Sequence, residues 1–401
     1  MSKNDHEDQK PKRICYLTGR RLKTSEEAYS NYIKRWNAEN EERDQTAAPL
    51  PPGKEPLDPD RESLEHIIPN AIGGKLKSKH ILSHAANQQL NEEIDTEFVK
   101  VFSSFTSRLS VSKDRKTKPS TSAYHTHHKV DLIFKDGKYF PSTPFYDEKS
   151  KTIYAYPLKN AENYKKLLIR DGVICEGDPI ILADDMDGII EVPFGLDNQN
   201  FKRGMAKIAI GYAVFNEIDR NLLDKALDVD NDAIFSRISL VPSFPLTKSE
   251  KFFEENVDKS PHFPCHTLTL CGHDGILYCH VELFNAFQWY VVLSRDYQGD
   301  DVFHTYTYDL LNDLEISRND YISSVELPPE LPKIDNFRKV SEWRLAFMAG
   351  IGLKDAQLLK EYNHFKFFQL SDFTRQHFIY NKAIALGIIK KHNEPHDNEG
   401  S

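Results

Sequence analysis

Pro69 and the pair Gly73-Gly74 punctuate the segment from Leu64 to Phe105 so closely that only short elements can precede its one long periodic stretch. Leu64 to Ile68 is short and rich in branched side chains, which suits a strand, and Pro69 removes the backbone donor that a longer strand would need. The two glycines permit the sharp turns of a loop. His80 to Leu82 is then expected to return as a second strand. From Ala85 onward, Leu90, Ile94, Phe98, Val101, Phe102 and Phe105 recur mostly at spacings of three and four, the pattern of one helical face. Asn87 precedes Leu90 by three positions and so falls on the buried edge of that helix, turned toward the hairpin that carries Glu65 and His66.

Glu65, His66 and Asn87 are the residue types that phosphodiester hydrolysis asks for. The reaction needs a base to activate water, a cation to neutralise charge on the phosphorus oxygens, and a scaffold to align them. A neutral imidazole is a suitable base near neutral pH, which gives that role to His66. The Glu65 carboxylate and the Asn87 amide oxygen are hard ligands that Mg²⁺ accepts. Neighbours on an ideal strand face opposite ways, so Glu65 and His66 can serve one site only if the backbone twists or bulges.

The run EHIIPNAIGGKLKSKHILSHAANQQLNEEIDTEF resembles the core of HNH endonucleases of the ββα-metal fold, in particular those with an acid-His-Ile-Ile-Pro strand and a Gly-Gly loop. The resemblance implies a DNA-cutting module in which Glu65 and Asn87 bind Mg²⁺ or Mn²⁺ and His66 is the general base. Ser78 and His80 are the two candidates for the residue that orients the histidine. Many relatives hold a structural zinc with two Cys-x-x-Cys pairs. The matching positions here read Cys15-Tyr16-Leu17-Thr18 and Ser83-His84-Ala85-Ala86, a single thiolate where such a site needs four N or S ligands. No structural zinc is therefore expected in the module, which packing must hold together.

The formal net charge of −9 argues against a protein that grips nucleic acid with its whole surface. Basic residues are concentrated instead: Lys75, Lys77 and Lys79 follow the glycine pair, and Arg108, Lys113, Arg115, Lys116 and Lys118 surround the lone acid Asp114. These eight are the candidate contacts to DNA. Five scattered cysteines, an odd number, speak against a secreted disulfide framework. No stretch approaches the roughly 20 apolar residues of a membrane helix, and the polar start is no signal peptide, so a cytoplasmic protein without membrane contact is expected.

Elsewhere, VDLIFKDGKYF and TLTLCGHDGILYCHVELF each carry a central Asp-Gly, a strong hairpin signal. NFKRGMAKIAIGYAVFNEI predicts an amphipathic helix with Met205, Ile208, Tyr212 and Phe215 on one stripe. Two further groups invite a metal and are better read without one. His125, His127 and His128 are expected to be solvated loop residues, and Cys265, His266, Cys271, His273, Cys279 and His280 lie on both faces of a hairpin and cannot all converge.

The whole reads as an α+β chain. A nuclease module over residues 1–128, with a flexible insertion at 37–62, precedes a mixed α+β domain over 129–332 that regulates or positions substrate. A helical segment over 333–392 and a disordered tail over 393–401 follow. Larger HNH proteins of this appearance resemble effectors of bacterial defence against phage, which implies DNA as substrate and other proteins of a defence system as partners. Two alternatives stay open: a catalytically inactive nuclease-derived binding or scaffold protein, and a ligand-gated nuclease effector.

Overall fold

The computed structural model describes residues 13–41, 48–52, 54, 56–111, 120–135, 137–191, 199–334, 344 and 353–390. Lys113, Arg115, Lys116 and Lys118, residues 42–47, 53 and 55 of the 37–62 insertion, residues 335–352 apart from Arg344, and the tail lie outside the described residues. Helices and mostly antiparallel strands alternate irregularly, an α+β chain. Its contacts divide it into two units, neither continuous in sequence: Met1–Lys100 with Leu196–Phe367, and Val101–Gly195 with Phe368–Ser401. These boundaries cross the ones drawn from sequence texture.

The first unit is built on a six-stranded antiparallel sheet in the order Leu240–Pro242, Phe287–Ser294, Ile276–Leu283, Cys265–His273, Val302–Asp309 and Leu314–Ile316. The Asp-Gly signal holds: Cys265–His273 pairs with Ile276–Leu283 through Asp274 and Gly275, at φ of 49° and 78°. Positive φ at both central residues matches the right-handed twist of the flanking strands. Cys265, Cys271 and Cys279 are buried as free thiols in this sheet, and burial pushes the Cys265 and Cys279 thiols up. His273 is exposed beside Asp274 and Asp301, whereas His266 and His280 are buried.

Gln199–Phe215 is the helix that joins this sheet to the N-terminal segment. It is not amphipathic as expected: Gly204 to Ala213 is buried without interruption, and Phe215, placed on the apolar stripe, is exposed. One side packs on the sheet, where Phe201 meets the Trp289 ring edge-on at 5.2 Å. The other packs on Asn91–Lys100, and there the fit demands glycine. A Cβ on Gly204 would lie 2.2 Å from the Phe98 ring.

Within the N-terminal segment the hairpin is shorter than predicted. Glu65–His66 pairs with Lys77–Ser78, so His80 to Leu82 is not the return strand. The amide of His80 donates instead to Ser78 Oγ at 3.1 Å, a side-chain turn that ends pairing. The helix after it is interrupted as well. His84–Leu90 runs into a π-helical turn at Asn91–Asp95, then Thr96–Lys100, and Ser103–Leu109 follows a break. Leu90, Ile94 and Phe98 stay buried across the π turn because the extra residue per turn rephases the face.

The second unit holds a four-stranded sheet in the order Lys138–Pro141, Val130–Lys135, Thr121–His125 and Ile190–Glu191, which includes the other predicted hairpin. A three-stranded sheet, Phe145–Asp147, Thr152–Tyr154 and Ile181–Ala183, packs Ile153 against Ala161 and Leu168 of the helix Leu158–Arg170. His125 is a buried strand residue, contrary to the solvated loop expected. Its Nδ1 accepts from the His128 amide at 3.2 Å, so Nε2 carries the proton and donates to the Asp187 carbonyl at 2.8 Å. The helix Leu353–Ala385 realises part of the predicted helical C-terminal segment.

Candidate active site

The two-residue ladder fixes which way each motif side chain faces. Directly opposed residues on an antiparallel pair share a face, so His66 stands with Lys77 and Glu65 with Ser78. No bulge brings Glu65 and His66 to the same side. His66 is half-buried and Lys77 and Lys79 are exposed, while Glu65 is only 6% exposed and points inward.

What meets Glu65 inside is Lys207, from the middle of the helix Gln199–Phe215. Its ammonium lies 2.7 Å from Glu65 Oε1 and also bonds Asp95 Oδ2, and its side chain is 3% exposed. One turn earlier on the same helix, Arg203 pairs with Glu93 at 3.0 Å. Burial pushes the Glu65 carboxyl up, against the pull of Lys207. Desolvation pulls the Lys207 ammonium down, but Glu65 and Asp95 more than offset it, and its pKa is raised. Lys207 is therefore charged at neutral pH. Two atoms beside this group find no partner among the described residues: Asp95 Oδ1 and the hydroxyl of buried Tyr16, whose pKa is raised by burial and by the nearby Glu65 and Asp95 charges.

Asn87 sits in the helix His84–Leu90, which Ser83 caps by accepting from the Ala86 amide at 3.3 Å. The Asn87 Nδ2 donates to Ser63 Oγ at 2.8 Å, which fixes the amide. Ser78 faces away from His66, and exposed His80 has Nδ1 4.0 Å from Glu62 Oε2. The structure therefore brings Glu65 together with Asp95 and Lys207, and Asn87 together with Ser63. Of the loop lysines, Lys75 lies 3.8 Å from Asp313.

Asp95, Lys207 and Ser63 escaped the sequence reading. Lys207 had left a signal, because a charge inside GMAKIAIGYAV must find a partner if that run is buried. Asp95 lies on the motif helix, but the π turn shifts it off the face that a regular period assigns.

The zinc-knuckle positions are filled by packing and hydrogen bonds. Cys15, Ser83 and Ala86 are buried, and the Gly19 amide closes the turn onto the Cys15 carbonyl at 2.8 Å. Arg220 Nε and Nη2 donate to the carbonyls of Tyr16 and Leu17, each at 2.6 Å. On the other flank His266 supports the glycine loop. Its Nδ1 accepts from the Phe284 amide at 3.2 Å, so its Nε2 donates to the Ile72 carbonyl at 2.9 Å, and burial lowers its pKa to about 4.

Residues 53–103 match a family model described as HNH endonuclease. The chain carries an HNH endonuclease module. No curated protein and no solved structure matched the chain. Such a module belongs to the metal-dependent nucleases, and its substrate class is nucleic acid. Among the described residues no group of three or more His, Cys, Asp or Glu is placed to hold a metal ion, and no helix is long and apolar enough to cross a membrane. The side chains around Glu65 do not fit a resident divalent ion. A divalent ion on the same carboxylate as Lys207 would lie within about 5 Å of the ammonium, a repulsion on the order of 7 kcal/mol at an effective dielectric of ~20.

Proposed function

We propose that the chain is a DNA endonuclease that uses His66 as its general base and nicks one strand per binding event. The observation that carries this reading is the split of the motif: within the matched segment, His66 stands on an accessible hairpin face opposite Lys77, apart from buried Glu65. A phosphate on that face meets one imidazole and exposed ammonium groups. His66 takes a proton from water, the water oxygen bonds to phosphorus, and the bond to the leaving sugar oxygen breaks as that oxygen is protonated from solvent. Lys75, Lys77, Lys79 and Arg108 are the proposed contacts to the phosphate backbone among the described residues, with Lys113, Arg115, Lys116 and Lys118 outside them.

Mg²⁺ or Mn²⁺ is the proposed ion, and the oxygen of Asn87 its proposed protein ligand. By resemblance, the biological setting is bacterial defence against phage. Incubation of the full-length protein and of His66→Ala with supercoiled plasmid and Mg²⁺ or Mn²⁺ tests the activity. Cutting by wild type alone is expected, and equal cutting by both removes His66 from its role.

A second reading, nucleic-acid binding without turnover, has one observation in its favour: the acid of the motif is already paired with Lys207. Plasmid retardation with no nicking at any Mn²⁺ concentration would select it.

A further inference from the structure

We propose that Lys207 is a built-in cation that competes with divalent metal for Glu65, so that the module withholds its motif acid from solution metal while the helix Gln199–Phe215 is seated. Three observations converge. The ammonium lies between the two carboxylates, 2.7 Å from Glu65 Oε1 and bonded to Asp95 Oδ2, where a bridging cation would stand. The lysine is held there by an apolar helix whose neighbouring positions Met205, Ala206, Ile208 and Ala209 are all buried, so metal cannot share the position without displacing it. Oxygen capacity is left over, since Asp95 Oδ1 and the Tyr16 hydroxyl have no partner among the described residues.

The bland alternative is an ion pair that only ties two elements together. The two differ in what removal of the ammonium does. A purely structural pair leaves two buried carboxylates that take up protons and destabilise the fold. A competing cation leaves a vacated position between two carboxylates, oxygen donors of the kind that hard divalent ions accept. The link to nuclease action rests on the reading above, but metal binding is measured without substrate and stands or falls separately.

The test is a Mn²⁺ titration of the full-length protein, with free Mn²⁺ read by electron paramagnetic resonance and the melting temperature recorded in parallel. Wild type and Glu65→Gln are expected to bind Mn²⁺ equally, because Glu65 contributes nothing while Lys207 is present. Lys207→Met is expected to gain one site, at least tenfold tighter than any in wild type, and to melt higher with Mn²⁺. Lys207→Met with Glu65→Gln should lose both gains. A wild-type site abolished by Glu65→Gln overturns the proposal, as does a folded Lys207→Met protein with no new site. If Lys207→Met does not fold even with Mn²⁺, Lys207→Gln, which removes the charge and keeps a donor for the two carboxylates, takes its place, and a folded Lys207→Gln protein with no new site overturns the proposal equally. Absence of cutting by the wild-type protein at any Mn²⁺ concentration would dismiss the nuclease reading and leave the Mn²⁺ result untouched.

Discussion

Arg220 donates from Nε to the Tyr16 carbonyl at 2.6 Å, so a residue far along the chain clamps the turn that begins at Cys15. Its Nη2 reaches the next carbonyl, that of Leu17, and Gly19 leaves room for the guanidinium, because a Cβ there would lie 2.7 Å from it. Two hydrogen bonds from a charged donor brace this turn.

Replacing Arg220 with Ala should therefore destabilise the fold by about 2 to 4 kcal/mol, at about 1.5 to 3 kcal/mol for each hydrogen bond to a charged group less what water restores. A chelator should leave the wild-type melting curve where it is, and elemental analysis should find no stoichiometric zinc in the module. A chelator-induced drop in melting temperature that vanished in Cys15→Ser would show that metal, not Arg220, holds the turn.

Gly204→Ala should cost about 1 to 3 kcal/mol, since the new methyl overlaps the Phe98 ring and neither helix can withdraw freely. Combining it with Phe98→Leu should recover part of that loss. Additive costs in a double-mutant cycle by chemical denaturation would show that the two positions do not meet.

Burial lowers His266 from the ordinary 6.5 to about 4. Above pH 6.5 both folded and unfolded forms are neutral and the residue adds no pH dependence. Between 6.5 and 4 the unfolded chain takes up a proton that the folded chain refuses, so stability falls with pH, by about 3 kcal/mol once the folded pKa is passed. His266→Gln, which keeps a donor for the Ile72 carbonyl, should flatten this part of the stability profile. An unchanged profile would assign the acid sensitivity to other groups.

What the sequence made legible was local. The turns at Gly137 and at Asp274-Gly275, the proline stop at Pro69 and the buried face through Leu90, Ile94 and Phe98 depend on neighbours within a few residues. The positions of His66 and Asn87 on hairpin and helix followed from the same signals. Illegible were the partners that arrive from afar: Lys207 on Glu65, Arg220 on Tyr16 and His266 on Ile72 all join the motif to residues beyond 195. Periodicity sees none of these. The strand rule, by contrast, had already stated the condition that failed, because without a bulge Glu65 and His66 face apart.

Loss of the general base should lower nicking by about 10² to 10⁴ in His66→Ala with the fold unchanged. Asn87→Ala should act through metal affinity, so raised Mg²⁺ or a change to Mn²⁺ should restore part of the rate. A loss independent of metal concentration would remove Asn87 from the ligand set.

A single site that cuts one strand per encounter should give open-circle plasmid before linear, with double-strand breaks accumulating later, and salt should slow both steps as the phosphate contacts are screened. Linear product at low protein concentration without an open-circle precursor would require two sites acting together. Whether the rest of the chain restrains cutting cannot be tested by ending the protein near His128, because that removes the helix under Phe98 and Ile67 along with Lys207, Arg220 and His266. Such a truncation should fail to fold, which circular dichroism and dye binding would show. The restraint proposed above lies in one side chain and is tested in the intact protein. If Lys207 withholds Glu65 from metal and a Glu65 released from it turns to join Asn87 on the ion, Lys207→Met should nick faster than wild type at limiting Mn²⁺ and lose that advantage when Glu65→Gln is added. Equal rates in a folded Lys207→Met protein, over the whole Mn²⁺ range, would mean that the ion pair steadies the module without governing its chemistry.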